Sequence, residues 1–122
     1  MEQIGIARDA GESAVLRHLK IKLGVCLRMI KEVEYYKKEA EDNQEIVSQL
    51  THDGADEWQL RQPTLCVEES YTMVSDSNNR LQTGSDELYS YVMRFGEDPS
   101  LCEGEGLKLK QDADALLSKI CS

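Results

Sequence analysis

Arg17-His18-Leu19-Lys20-Ile21-Lys22-Leu23-Gly24-Val25-Cys26-Leu27-Arg28-Met29-Ile30-Lys31-Glu32-Val33 decides the fold, because its apolar side chains recur at steps of three and four. With Leu16 added, the set Leu16, Leu19, Leu23, Cys26, Ile30 and Val33 lines one face of a helix. The seam then shifts phase through Tyr36, Ala40, Asn43, Val47 and Leu50. Ser13 stands where an N-cap is needed, and Thr51-His52-Asp53-Gly54 supplies a glycine for the stop, so the spacing predicts a helix over about 14–52. That is far longer than the ~12 residues of an average globular helix, so the reading extends it past a compact core as a coiled-coil arm.

Working outward, a second run steps by four and three through Leu60, Thr64, Val67, Tyr71, Val74, Asn78, Leu81, Ser85, Leu88, Val92 and Phe95. This is a heptad seam, and it predicts a helix over about 58–95. Asn78 and Ser85 sit on it as polar residues that fix register, while Glu69, Asp76, Arg80, Glu87 and Arg94 read as a solvated far side. Trp58 reads as a core anchor beside the turn. Pro63 marks a helix start or a kink, and Gly96 with Asp98-Pro99 marks the end. Ser100-Leu101-Cys102-Glu103 has the form of a capping box ahead of Leu109, Ala113, Leu116 and Ile120, giving a third helix over about 101–120 whose first turns Gly104 and Gly106 weaken. Short connectors make neighbouring helices antiparallel. The expected fold is therefore all-α: an elongated antiparallel three-helix bundle with coiled-coil packing over 14–122, preceded by a flexible extension over 1–13.

The chain has 122 residues, room for one domain, and is 40% hydrophobic and 30% charged with two prolines, a composition suited to a solvated bundle. Its net charge of −9 is unevenly placed: segment 17–38 holds seven of the fourteen Lys and Arg against two acids. An acidic chain is a poor ligand for phosphates, so nucleic acid is not expected as a partner. A signal-like apolar run and a ~20-residue apolar span are both missing, which points to a soluble cytosolic protein with no membrane partner. Cys26, Cys66, Cys102 and Cys121 form no CxxC and are read as free thiols, Cys26 on the apolar seam and Cys121 exposed near the end.

Catalytic patterns do not emerge. Val15 and Gln49 stand three residues before His18 and His52, so the Glu-x-x-His pairs of helical di-metal sites are not formed, and no HExxH, phosphate-binding loop or nucleophile elbow occurs. No metal, cofactor or enzymatic activity is expected. The first helix does carry a basic face: at 100° per residue Lys20, Lys31 and Lys38 return to within about 20° of one direction. Arg17, Gly24, Arg28 and Tyr35 lie on the same flank, away from the Leu16 to Val33 seam.

Three segments of this helix, Lys20-Ile21-Lys22-Leu23-Gly24-Val25, Arg28-Met29-Ile30-Lys31-Glu32 and Tyr36-Lys37-Lys38-Glu39-Ala40, resemble in sequence and spacing the opening helix of the tubulin-binding cofactor A family. The Asp53-Gly54 turn and the Glu69-Ser70 and Arg80-Leu81 pairs are similar in order, so the resemblance runs from about 17 to 95. It implies a non-enzymatic, chaperone-like cofactor, cytoplasmic and cytoskeleton-associated. Such a cofactor captures β-tubulin released from the cytosolic chaperonin and passes it towards assembly with α-tubulin. β-Tubulin is then the partner, with other tubulin-folding cofactors as further partners, and monomer and homodimer both stay open. Tubulin is acidic, so the candidate partner-binding residues are Arg17, Lys20, Lys22, Gly24, Arg28, Lys31, Tyr35, Tyr36, Lys38 and Glu39. The competing reading of the residues is a generic coiled-coil adaptor or oligomerisation module that uses the second seam without tubulin specificity. A prefoldin-like subunit fits less well, because the 51–57 connector is too short for the β-hairpins between its helices.

Overall fold

Ser13 starts the first helix by accepting a hydrogen bond from the Leu16 backbone N–H on its hydroxyl (3.0 Å) while its carbonyl accepts from Arg17 N (3.0 Å). In the computed structural model, which describes residues 13–121, that helix (α1) runs Ala14–His52. Two more follow, α2 over Glu57–Phe95 and α3 over Gly104–Cys121, so the described residues are all-α. The expected extension over 1–13, apart from Ser13, lies outside the described residues. The same is true of the Cys121 thiol.

Gly54, at φ +85°, ends α1. Ala55 N reaches Leu50 O (3.0 Å) and Gly54 N reaches Thr51 O (3.1 Å), the paired bonds of a Schellman stop, which a residue with a Cβ would adopt only under strain. A reciprocal cap then opens α2: Gln59 N donates to Asp56 Oδ1 (2.8 Å) and Asp56 N donates to Gln59 Oε1 (2.9 Å). Because this cap fixes the start at Glu57, Pro63 is left inside the helix, which runs through it.

The third helix departs from the expected capping box. Asp98, not Ser100, is the cap: its Oδ2 accepts from Ser100 N (3.0 Å) and from the Ser100 hydroxyl, and closes a short 3-10 turn over Pro99–Leu101. These two hydrogen bonds hold the Asp98 carboxyl below the usual carboxylate range. α3 starts three residues later than expected, at Gly104. Gly106 is there for close approach: a Cβ on it would lie 1.7 Å from Ser100 O, so only a glycine lets the first turn of α3 sit against the 3-10 turn.

The fold divides into two compact units, residues up to Leu27 with Thr83 onward, and Arg28–Gln82. In the first, Leu16, Leu19, Leu23 and Cys26 of α1, Leu88 and Val92 of α2, Leu101, and Ala113 and Leu117 of α3 form one buried cluster. α1 and α2 run antiparallel here, as Tyr91 Oη reaching Val15 O (3.4 Å) and Gly84 beside Val25 and Cys26 show. Lys20 meets Glu105, and Leu23 and Leu27 share a groove with Asp112 and Leu116, so α3 runs parallel to α1.

The second unit is a helical hairpin. Glu32 meets Arg80 (3.1 Å) and Asn43 meets Ser70 (2.7 Å), partner numbers falling as the others rise, which is again antiparallel. Its buried residues are Val33 and Ala40 of α1 and Val67, Ser70 and Ser77 of α2. The α2 seam thus differs in phase from the expected one: Tyr71 and Asn78 face solvent, and Ser70 and Ser77 take their places. Both phases share Val67, Val74 and Leu81, so apolar spacing does not choose between them. Small side chains do, since the Ser70 hydroxyl donates to Cys66 O (2.9 Å) and still accepts from Asn43 Nδ2 (2.7 Å). Asn78 therefore does not fix register, and Arg80, read as solvated, pairs with Glu32. Trp58 is 76% exposed and is not a core anchor.

Candidate partner-binding surface

All ten candidate residues lie on α1, and the structure sorts them by what they touch. Four belong to the first unit. Arg17 is exposed there and has no ion-pair partner among the described residues, and Gly24 is half-buried. Lys20 Nζ pairs with Glu105 Oε2 of α3 at 3.2 Å. Lys22 Nζ sits 5.4 Å above the centre of the Tyr91 ring, a cation–π contact that ties its charge to α2. Tyr91 itself is tied to α1, its hydroxyl near Val15 O and His18 Nδ1, and partial burial together with the Asp98 charge pushes its phenol up. Lys20 and Lys22 thus help dock α2 and α3 onto α1.

The other six lie in the hairpin unit. Arg28 and Lys31 are exposed and make no ion pair among the described residues. Tyr35 is 62% exposed, and its ring meets that of the half-buried Tyr36 edge to face at 5.2 Å. A hydrogen bond from Tyr35 to Glu39, and the Glu39 charge, push the Tyr35 phenol above its ordinary value. Lys38 is exposed but spends its charge locally, on Asp42 one turn later (3.2 Å). Arg28, Lys31 and Tyr35 fall within about 60° around the helix, so the hairpin presents two uncommitted cations beside an exposed tyrosine on one face.

This arrangement has the chemistry of protein recognition. Exposed ion pairs such as Lys38–Asp42 contribute little to stability, while an unpaired cation on a rigid helix is available to an acidic partner. Arg and Tyr are also the side chains that anchor interfaces most often. Among the described residues no group of three His, Cys, Asp or Glu is placed to hold a metal ion. Cys26 is buried against Gly84, and burial and then the Glu87 charge push its thiol up, so it fills space in the seam. No helix of the described residues is long and apolar enough to cross a membrane.

What the spacing of α1 alone does not disclose is which cations are spoken for. Glu105 and Tyr91 come from other helices, 85 and 69 positions away from their lysines, and only the packed structure brings them together. The Lys38–Asp42 pair, by contrast, is a four-residue spacing that the sequence does carry.

A family model described as Tubulin binding cofactor A matches residues 14–116. The chain is 33% identical to the Tubulin-folding cofactor A of Arabidopsis thaliana over 84 residues, 69% of this chain and 74% of that protein. It is 32% identical to the Tubulin-specific chaperone A of Gallus gallus over 73 residues, 60% of this chain and 68% of that one. The crystal structure of tubulin folding cofactor A from Arabidopsis thaliana superposes with a TM-score of 0.75 at 30% identity, covering 87% of this chain and 97% of that chain.

Proposed function

The chain belongs to the tubulin binding cofactor A family, and from that premise we propose that it captures β-tubulin released from the cytosolic chaperonin and passes it towards assembly with α-tubulin. It is a folding cofactor and not an enzyme. Its place of action is the cytoplasm, in association with the cytoskeleton, and other tubulin-folding cofactors are its further partners.

The reading rests on one observation above the others: within the hairpin unit, Arg28 and Lys31 stand exposed without ion-pair partners among the described residues, beside an exposed Tyr35 whose ring meets that of Tyr36. An acidic client is steered to such a face by charge, and the tyrosine rings of Tyr35 and Tyr36 supply apolar contact once water is excluded. Lys38, whose bridge to Asp42 is exposed and weak, is free to exchange that partner for a client carboxylate. In the other unit Arg17 is available in the same way, whereas Lys20, Lys22 and Gly24 act by building the helix surface. Since charge sets encounter and orientation more than affinity, the complex remains reversible, as handing a client on requires.

Native-gel binding to β-tubulin freshly released from chaperonin, alongside intact tubulin dimer, tests the function. A complex with the released subunit alone is expected. Arg28→Glu with Lys31→Glu should slow its formation by about tenfold at low salt and less at high salt, with helicity unchanged. No complex with either form of tubulin would overturn the proposal and leave the helical adaptor reading.

A further inference from the structure

The interior of the hairpin thins towards its turn. Val33 and Ala40 of α1 and Val67, Ser70 and Ser77 of α2 are buried, but none of the described residues 41–66 is. Beyond the Asn43–Ser70 bond the seam consists of half-buried side chains, Val47 and Leu50 on α1 and Leu60, Pro63 and Cys66 on α2. The antiparallel register that pairs Asn43 with Ser70 sets Val47 opposite Cys66 and Leu50 opposite Pro63. Pro63 has no N–H to give to Gln59 O, so one rung of α2 is missing there. On the far side of it the Asp56–Gln59 cap and the Gly54 stop make the turn a firm piece, joined to the rest of α2 across that missing rung. Few buried apolar contacts and an interrupted helical ladder are the conditions under which part of a fold opens by itself.

We propose that the hairpin tip, residues 47–66, opens as a unit at Pro63 and takes an apolar strip of the client into the seam that it uncovers. This rests on the reading that the chain captures β-tubulin before assembly with α-tubulin. A subunit of an obligate pair presents a face as apolar as a domain core cut in half until its partner covers it. Opening uncovers Val47, Leu50 and Leu60 and joins them to Ile46, Trp58 and Leu65, which are exposed already. The exposed carboxylates of Asp53, Asp56 and Glu57 rim the turn and repel the acidic surface of the client, which Arg28 and Lys31 attract instead. The two sites thus take different faces of one client. Only the open fraction of the chain accepts the strip, so apparent affinity scales with that fraction.

Hydrogen exchange of the free chain tests the opening, and a redox lock tests its use. Amides of residues 47–52 and 61–66 should exchange as one group, about a hundredfold faster than those of 30–40 and 67–80 in the same hairpin. Pro63→Ala restores the rung and should slow that whole group about tenfold or more, including the α1 amides 47–52 across the seam, while capture of β-tubulin weakens by the same factor. In a chain carrying Cys102→Ser and Cys121→Ser, Val47→Cys joined to Cys66 by oxidised glutathione holds the tip shut. It should capture β-tubulin about tenfold more weakly or worse, and recover on reduction. Pro63→Ala serves the same purpose without a cross-link. Exchange graded evenly towards the turn, a Pro63→Ala effect confined to α2, capture unchanged by Pro63→Ala, or a locked chain that captures as the reduced one does would each overturn the proposal. A wild type that captures no tubulin would overturn the proposed function and the client strip with it, while the opening itself stands or falls on exchange in the free chain.

Discussion

The two units are built from the same pair of helices and have opposite interiors. Where α3 joins, the core holds Leu16, Leu19, Leu23, Cys26, Leu88, Val92, Leu101, Ala113 and Leu117, with Ser85 the single buried polar side chain among that unit's described residues. In the hairpin, the buried positions are Val33, Ala40, Val67 and two serines, and a hydrogen bond between Asn43 and Ser70 crosses the seam. Burying a leucine contributes ~1.5–3 kcal/mol, whereas a partly buried amide–hydroxyl bond contributes ~1 kcal/mol and mainly fixes register. One unit thus carries the stability of the fold. The other is held in register by polar contacts and presents the uncommitted pair Arg28 and Lys31. Separating the apolar core from the charged face along one pair of helices lets the proposed client-binding surface change without loss of the core.

Substitutions can break this contrast, beginning in the apolar unit. Leu19→Ala or Leu88→Ala, both at fully buried sites, should cost ~2–5 kcal/mol in urea unfolding, while Val67→Ala in the hairpin should cost roughly 1–2 kcal/mol. Equal costs would erase the distinction. Gly106→Ala should cost about 1–3 kcal/mol, because its methyl group and Ser100 O cannot share the space and the start of α3 must move. Melting temperature together with loss of α3 helicity would measure it.

Smaller effects sharpen the hairpin side. Ser70→Ala leaves the Asn43 amide without its partner and should cost about 1 kcal/mol, whereas Asn43→Leu combined with Ser70→Ala should recover that loss or exceed it. A double variant that gains stability yet associates in more than one register would show what the polar pair is for. The smallest effect belongs to Asp98. Its carboxyl titrates below the ordinary carboxylate value because Ser100 hydrogen-bonds the charged form. Its contribution is therefore complete above the ordinary value and disappears as pH falls through the lowered one. The stability difference between wild type and Asp98→Ala, followed by acid titration, should shrink towards zero over that interval.

Much of this was legible in the sequence. The α1 seam, including its phase shift through Ala40 and Asn43, follows from spacing, and Ser13 and Gly54 mark the helix ends by their own chemistry. The phase of α2 was not legible, because two heptad phases share Val67, Val74 and Leu81 and the deciding residues are serines, which a hydrophobicity pattern treats as gaps. Gly106 reads as a weak helix former until the Ser100 carbonyl that it accommodates is in place. Trp58 looks like a core residue by type, yet the Asp56–Gln59 cap starts α2 at a rotation that turns it outwards. On the candidate surface the cations were visible, but the partners that occupy Lys20 and Lys22 lie on other helices.

Hydrogen exchange of the chain with and without β-tubulin tests the division of labour most directly. Amides of α1 between Arg28 and Glu39 should gain protection in the complex while those of α3, Gly104–Cys121, stay unchanged. Protection confined to α3, with Arg28 to Glu39 exchanging as in the free chain, would contradict the account.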